Sequence, residues 1–271
     1  MLGVGQFLLV AVVGVVTGIL SGIFGVGGAV VTTPAVRALG APPLDAVGST
    51  IPSIIPSAIS GTIRYMREGL IRWPVFGWTS AFGISAAVGG ALLTEFVPGD
   101  GHPLMLATAA LLAFTSFRLA LPRPTAASIT DPDATATATP VPHLVDRATP
   151  ARAAAVGLAA GGLSGLLGIG GGILMVPAFT TWMRLPLKAA VATSLACVGV
   201  LAIPSMITHA ALGHIDWSYA IPLSIGVIPG ARIGANLAIR STERTLRISV
   251  ATVLGLIAIL YFVGELASLL S

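Results

Sequence analysis

The sequence has very little charge and almost no cysteine. Of its 271 residues, 9% are charged and 55% are hydrophobic, whereas about a quarter of the residues in a soluble domain are charged. This composition excludes an ordinary soluble protein and is typical of a helical protein with several membrane spans. The single cysteine, Cys197, excludes a disulfide framework and a multi-cysteine metal site.

Residue patterns that support catalysis are also scarce. No Lys-Ser or Lys-Thr follows the glycine-rich stretch at Gly25, which excludes a phosphate-binding loop there. No nucleophile, histidine and acid can be grouped on the motifs, so we expect neither an enzyme nor a cofactor. The net charge of +4 comes from basic residues placed singly between apolar runs, which favours membrane orientation over nucleic-acid binding.

One glycine-rich stretch occurs twice. Leu20–Gly28 is followed by Pro34, and Leu163–Gly171 is followed by Pro177, with each residue 143 positions after its counterpart. Glycine costs about 1 kcal/mol relative to alanine inside a helix, so four glycines within seven positions predict a break in each helix. Freed backbone groups are tolerated in a membrane only where protein or a watery cavity covers them. We therefore expect the two breaks to face each other near the middle of the bilayer.

The other apolar runs follow the same order in both halves. We predict an all-α polytopic membrane protein with about eight to ten membrane segments, built from two repeats, residues 1–121 and 151–271. Each repeat has a long segment, the glycine break, a short segment, a segment rich in serine and threonine, one rich in small residues, and a closing span. Residues 122–150, rich in proline, alanine and threonine, cannot bury a core and are expected to form a disordered cytoplasmic linker.

The basic residues predict how the repeats are oriented. If each repeat is counted as five segments, twelve of the fourteen lysines and arginines fall on one side, which the positive-inside rule makes cytoplasmic. If each repeat has four full spans, this preference disappears. An odd number of passes gives the repeats opposite orientations, so we predict inverted repeats with broken or re-entrant helices, an arrangement known from secondary transporters.

The motif Leu-Ser-Gly-x-x-Gly-(Val/Ile)-Gly-Gly, with a proline six residues later, resembles that of the sulfite exporter TauE/SafE family of bacterial membrane transporters. The resemblance covers both halves but not the linker. It implies a multi-pass protein of the cytoplasmic (inner) membrane that transports sulfur-containing anions such as sulfite or organosulfonates. Because no ATP-binding motif is found, we expect the energy to come from a gradient, for example of protons or another cation, from facilitated flow, or from a partner.

Candidate substrate-binding residues lie at the breaks and in the Ser/Thr-rich segments. An anion in the membrane needs hydrogen-bond donors and positive potential, and the N-terminus of a half-helix offers both. The glycines could instead serve only close packing, and the hydroxyls could bond to their own helix. The candidates are Gly27, Gly28, Ala29, Gly170, Gly171 and Gly172 at the breaks, and Ser49, Thr50, Ser53, Thr193 and Ser194 beyond them. Thr50 and Thr193 lie 143 residues apart, the offset of the motif.

Four further polar residues lie in the second half. Arg232 is the basic residue well inside a predicted span, where a charge usually faces the protein interior or water. It could neutralise the substrate, with Asn236 one turn further along, or extend to the cytoplasmic surface. His209 and His214 lie near the outer end of the Ser/Thr-rich segment and could couple transport to protons, or could form an ordinary interfacial loop.

Two other functions stay open beside the leading one. We predict a secondary transporter that moves small sulfur-containing anions by alternating access. A channel-like or metal-ion permease would need acidic or histidine residues within the spans, where the sequence offers few. A membrane scaffold without cargo would use the glycines for packing alone. The sequence does not specify the anion, the direction of transport, the coupling ion or the oligomeric state.

Overall fold

The computed structural model describes residues 3–93, 102–120, 149–167 and 170–270, and the regular secondary structure within these ranges is entirely helical. The all-α prediction is thereby confirmed. The helices, in chain order, are α1 (Val4–Phe24), α2 (Ala29–Ala38), α3 (Pro43–Arg67), α4 (Trp73–Leu93), α5 (His102–Ala120), α6 (Thr149–Leu167), α7 (Gly172–Thr181), α8 (Leu187–Ala211), α9 (Trp217–Arg240) and α10 (Glu243–Leu270).

The helices differ in whether they can cross a bilayer. Within the described ranges, six are long and apolar enough to do so, namely α1, α3, α4, α6, α8 and α9. The short helices α2 and α7 have 10 residues each, about 15 Å of helix, which is half of a hydrocarbon core of about 30 Å. Most of the predicted linker lies outside the described residues, although α6 already begins at Thr149.

Glycines at four-residue spacing bring two pairs of helices into backbone contact. Three glycines of α1 contact successive turns of α9, from Leu223 to Ala235, so α1 and α9 run in the same direction. Three glycines of α6 contact α4 in the same way, from Thr79 to Ala91. The absence of side chains lets the backbones approach closely, as is common between membrane helices. The glycines are Gly14, Gly18 and Gly22 on α1 and Gly157, Gly161 and Gly165 on α6.

The central pair of helices, α3 and α8, is the most buried of the candidate spans. Ala58 of α3 contacts Gly199 of α8, and Gly61 contacts Leu195 one turn earlier on α8, so these two helices are antiparallel.

Each central helix also runs parallel to one neighbour. Ser60 and Arg64 of α3 bond to Ile228 and Asn236 of α9 in the same order, and α8 pairs with α4 in the corresponding way. As a result, α1, α3 and α9 run in one direction, whereas α4, α6 and α8 run in the opposite one.

Two matching hydrogen bonds join the halves of the chain. The backbone N–H of Asp216 donates to Ser49 Oγ at 2.8 Å, and that of Arg72 donates to Thr193 Oγ1 at 3.0 Å. Both pairs of equivalent residues are 144 positions apart, which means that one residue is inserted between the second break and α8. The equivalent of Thr193 is therefore Ser49, and the pairing of Thr193 with Thr50 at the motif's own offset was wrong.

Two adjacent glycines of α4 provide a matched test of the α4–α6 contact. A Cβ on Gly90 would overlap the carbonyl oxygen of Gly162, whereas a Cβ on Gly89 would meet nothing within 4 Å. We expect Gly90→Ala to lower the free energy of unfolding by about 1–3 kcal/mol, because the helices must separate. Gly89→Ala should be neutral or stabilising by up to about 1 kcal/mol. Chemical unfolding in detergent micelles measures both, and equal effects would contradict the contact.

Candidate functional site

Both glycine-rich stretches interrupt their helices, as predicted. The first break separates Phe24 from Ala29, and the second separates Leu167 from Gly172. Positive φ angles occur within both: 70°, 91° and 83° at Gly25, Gly27 and Gly28, and 79° and 68° at Gly170 and Gly171. Residues with a Cβ rarely adopt this backbone conformation, which explains why the motif is built from glycine. Gly168 and Ile169 lie outside the described residues.

The two breaks contact each other directly. A Cβ built on Gly172 would lie 2.5 Å from the carbonyl oxygen of Gly25 and 2.6 Å from Cα of Val26. A Cβ built on Gly170 would lie 3.3 Å from the carbonyl oxygen of Val26. Glycine at these positions is therefore required by close backbone approach as well as by backbone conformation.

The contact lies at mid-depth between the central helices. Ile54 of α3 and Val198 of α8 both touch Gly27 and Gly170. Each of these apolar side chains is near the midpoint of a 25-residue helix. The prediction that the breaks face each other near the middle of the bundle is consistent with this placement.

The half-helices α2 and α7 begin at the contact and run away from it in opposite directions. After α2, the Leu39 carbonyl accepts a hydrogen bond from Tyr219 at the start of α9. After α7, the Trp182 carbonyl accepts one from Arg152 near the start of α6. Because α9 and α6 run in opposite directions, these two helix starts lie at opposite ends of the bundle.

Two helix N-termini thus lie beside the contact between the breaks. The first turn of a helix has N–H groups without intrahelical partners and carries the positive end of the helix dipole. The N-caps of α2 and α7 are Gly28 and Gly171, and neither receives a side-chain cap. The site therefore offers backbone donors and the positive ends of two helix dipoles, beside the carbonyl ends of α1 and α6, and the described residues place no buried charged side chain there.

Buried hydroxyl groups surround the first break. Ser194 Oγ of α8 donates to the Gly25 carbonyl at 2.8 Å, and Thr50 lies 3.2 Å from Thr33 of α2, oxygen to oxygen. Thr50 also donates within its own helix, to the carbonyl of Val47. Ser53 likewise bonds within α3. The hydroxyls of Thr50 and Ser53 therefore bond to the preceding turn of their own helix, the alternative to substrate binding stated above.

One hydrogen bond at the first break was missed. Ser57 Oγ donates to Ser21 Oγ at 2.9 Å, and both groups are buried. Ser21 lies inside the repeated motif and has Ser164 as its counterpart. The serine at this position of both otherwise apolar motifs was the sequence signal that could have indicated this contact.

A side chain from the end of α3 or α8 holds the last turn before each break. Tyr65 Oη donates to the Gly22 carbonyl at 2.6 Å, and His209 Nε2 lies 3.1 Å from the Gly165 carbonyl oxygen. Tyr65 and His209 are equivalent at the offset of 144, and Gly22 and Gly165 at the offset of 143. The two halves therefore hold the last helical turn before each break with chemically different side chains.

Several predicted site residues lie elsewhere. Ser49 and Thr193 bind backbone N–H groups toward opposite ends of the bundle. The side chain of Arg232 is exposed on α9, and no described contact brings it to a break. Asn236 accepts a hydrogen bond from Arg64 at the ends of α9 and α3. The contacts that do converge at the breaks come from the glycines, Ala29 and Ser194.

The breaks are packed closed in this conformation. Ala29, Thr50 and Ser194 are fully buried, and the side chains of Ile54 and Val198 fill the space between the two glycine turns. A recess beside the first break is lined by apolar atoms of α1, α2 and α10. A solute can therefore reach the helix N-termini only if these elements move.

The hydroxyl of Ser194 provides a test of how the first break is held. Ser194→Ala removes the donor to the buried Gly25 carbonyl, and we expect the free energy of unfolding to fall by about 1–3 kcal/mol. Ser85→Ala is the matched control, because Ser85 is exposed and bonds within its own helix; it should change the stability by less than about 0.5 kcal/mol. Thermal and chemical unfolding in detergent measure both. Indistinguishable stabilities would show that this bond does not hold the break.

Comparison with known proteins identifies the family. A family model described as sulfite exporter TauE/SafE matches residues 10–261. The probable membrane transporter protein YunE of Bacillus subtilis is 27% identical over 93% of this chain and 96% of its own length, and a probable membrane transporter protein of Xylella fastidiosa is 28% identical over 84% and 83%. No solved structure is significantly similar to the chain. The chain, with its paired glycine breaks, belongs to the sulfite exporter TauE/SafE family of membrane transporters.

Proposed function

We propose that the protein is a secondary transporter that moves small sulfur-containing anions, organosulfonate or sulfite, across the bacterial cytoplasmic membrane. The observation that carries this proposal is that two helices without side-chain N-caps begin at the contact between the breaks, at mid-depth. The description of the matching family, which names sulfite, supports the choice of anion. A substrate with a sulfonate or sulfite group has three oxygen acceptors, and these suit backbone N–H donors and the positive ends of helix dipoles.

The donors would come from both halves of the chain. Gly28 and Ala29 begin α2, and Gly171 and Gly172 begin α7. We assign a further donor to Ser194, whose hydroxyl binds the Gly25 carbonyl in this conformation and would turn toward a bound anion. Binding without a fixed cationic side chain leaves the anion free to leave the site, as transport requires.

We infer that the two repeats are inserted in opposite orientations. Support comes from the helix directions, since α1 runs opposite to its equivalent α6, and α3 opposite to α8. Under this arrangement α3 and α9 end, and α8 begins, on the cytoplasmic side. Arg64, Lys188 and Arg240 lie at these ends, in agreement with the positive-inside rule.

Alternating access would follow from the opposite paths of α2 and α7. Each half-helix leaves the meeting point toward a different end of the bundle, so movement of one opens a path to one membrane face. The packed state described above would be the occluded state between the two open ones. Inverted repeats around a mid-membrane site are the recurrent plan for such cycles.

Purified protein in liposomes tests the transport proposal. We expect at least one of sulfite, sulfoacetate, taurine, sulfate and thiosulfate to enter protein-containing liposomes faster than empty ones, and to raise the thermal unfolding temperature. At an anion concentration 100 times the dissociation constant, the stabilisation should be about 2.7 kcal/mol. If none of the anions moves and none stabilises the protein, a membrane scaffold without cargo becomes the better interpretation.

Two equivalent positions test the inverted orientation. Arg67 ends α3 and Ala211 ends α8, they are 144 residues apart, and both are exposed. In a Cys197→Ala background, which removes the buried natural thiol, we expect Arg67→Cys to react with an impermeant maleimide only from the cytoplasmic face and Ala211→Cys only from the outer face. Labelling of both from one face would contradict the inverted arrangement.

A further inference from the structure

We propose that His209 and His214 form a proton-binding site that couples protons to movement of the second break. The inference deepens the proposed function and rests on it, because coupling has a meaning only in a transporter. The binding of the proton itself can be tested separately from transport. The site lies where α8 ends and α9 begins, at the end of the bundle opposite to Arg64 and Lys188.

The geometry links the two histidines to the second break. His209, fully buried in the last turns of α8, places Nε2 at 3.1 Å from the carbonyl oxygen of Gly165. Its other ring nitrogen, Nδ1, lies 3.3 Å from Nδ1 of His214. Gly165 is two residues from the end of α6 at Leu167, so the pair is attached to the last turn before the break. His214 is only partly buried, which gives the pair a route to water.

The chemistry of the partners assigns the protons. A carbonyl oxygen only accepts, so Nε2 of His209 carries a hydrogen, and in the neutral ring Nδ1 is then an acceptor. The hydrogen between the two rings therefore belongs to Nδ1 of His214. The remaining nitrogen of the pair is Nε2 of His214, for which the described residues provide no hydrogen-bond partner.

This assignment allows one extra proton without loss of either hydrogen bond. A proton from water binds Nε2 of His214, and the hydrogen on its Nδ1 can then pass to Nδ1 of His209. The extra charge is thereby shared by the two hydrogen-bonded rings, and the partly buried His214 keeps the contact with water. A second proton would place hydrogens on both facing Nδ1 atoms and would break the bond between the rings, so the pair holds a single proton.

The first repeat shows that a purely structural role does not need histidine. Tyr65 occupies the equivalent position and donates to the equivalent carbonyl, that of Gly22, at 2.6 Å. A tyrosine hydroxyl does not titrate near neutral pH, whereas an imidazole does. The two breaks are therefore fastened by the same kind of hydrogen bond, but the second one can respond to protons.

Within the described residues, few other charges face the pair. Among the described residues, α4 and α7 carry no titratable group, and that of α6, Arg152, lies at its far end. Asp216 is exposed and its carboxylate accepts a hydrogen bond from the Ser218 N–H. Asp45 begins α3 at the same end, and no described contact joins it to either histidine. In the part of the chain that the structure describes, the groups in direct contact with the His209 ring are thus His214 and the end of α6.

The proton should hold the second break in its present packing. A cation at the C-terminus of a helix interacts favourably with the helix dipole, and a charged donor makes a stronger hydrogen bond to a carbonyl. A proton on the pair therefore strengthens the bond from His209 to the last turn of α6, and loss of the proton weakens it. In the proposed orientation, His214 takes up this proton from the outer face.

Hydrogen exchange along the chain tests the proton site without any substrate. In lipid nanodiscs, backbone exchange near the end of α6 and start of α7, corrected for the intrinsic effect of pH, should rise by about fivefold in the wild type as the pH increases from 5 to 8. His209→Tyr, which copies the first repeat, should abolish the titration, and so should His209→Gln, a smaller donor that does not titrate. His143→Gln, outside the described residues, is the control and should behave as the wild type. A flat wild-type profile, or an unchanged one in both His209 variants, would overturn the proposal.

Transport provides the second measurement. With an anion that the liposome assay finds to be carried, we expect lowering the external pH from 8 to 6 to change the wild-type flux, and expect His209→Tyr and His214→Gln to remove this response. Titrating exchange without flux of any anion would support the proton site and overturn the proposed transport. Flux that ignores pH, with no titration of exchange, would overturn the proton site and leave transport standing.

Discussion

The fold depends on backbone groups that meet backbone groups in the membrane interior. Wherever the chain leaves helical geometry in a bilayer, its N–H and C=O groups need partners from the protein. Here each glycine break is covered by the other one and by two central helices, and its free carbonyls are bonded by side chains such as Ser194 and Tyr65. Glycine contributes to this arrangement in two ways. It adopts the positive φ angles of the breaks, and its lack of a side chain lets Gly172 approach Gly25 closely.

The same constraint explains the rest of the packing. Helices α1 and α6 carry glycine faces that fit closely against α9 and α4, and these contacts fix where the breaks lie along the bundle axis. Helices α3 and α8 then pass on either side of the breaks and supply Ile54 and Val198. As far as the structure describes it, the centre of the resulting interior is tight and uncharged, and its polar groups are hydroxyls and main-chain groups.

Much of this could be predicted from the sequence, because glycine spacing and apolar runs are local signals. The helices before the breaks end at Phe24 and Leu167, inside the repeated glycine-rich stretches that predicted the interruptions. No local signal of this kind predicts contacts between residues that are far apart in the sequence. The motif offset alone did not locate the inserted residue that pairs Ser49 with Thr193, although Gly69 and Gly213, 144 residues apart, already indicated an insertion. The contacts then show that His209 occupies the place of Tyr65.

Arg232 shows most clearly that the sequence gives the position of a residue along a helix but not its neighbours. Its position within an apolar run indicates depth along a helix, but the face of the helix that it occupies depends on which neighbours pack there. The glycines Gly226, Gly230 and Gly234 turn the opposite face of α9 toward α1. The side chain of Arg232 consequently points outward. The spacing of the glycines along α9 indicates this orientation, whereas the apolar composition of the helix does not.

The pairing of α1 with α9 has a consequence for biosynthesis. Gly14 packs against Leu223, which the ribosome adds 209 residues later. At ordinary elongation rates this is a delay of roughly 10–40 s. During that interval the first helix resides in the bilayer with its closest-fitting surface unmatched. Nascent chains of this protein must therefore pass through a long-lived, half-assembled stage in which the insertion machinery or surrounding lipid takes the place of α9.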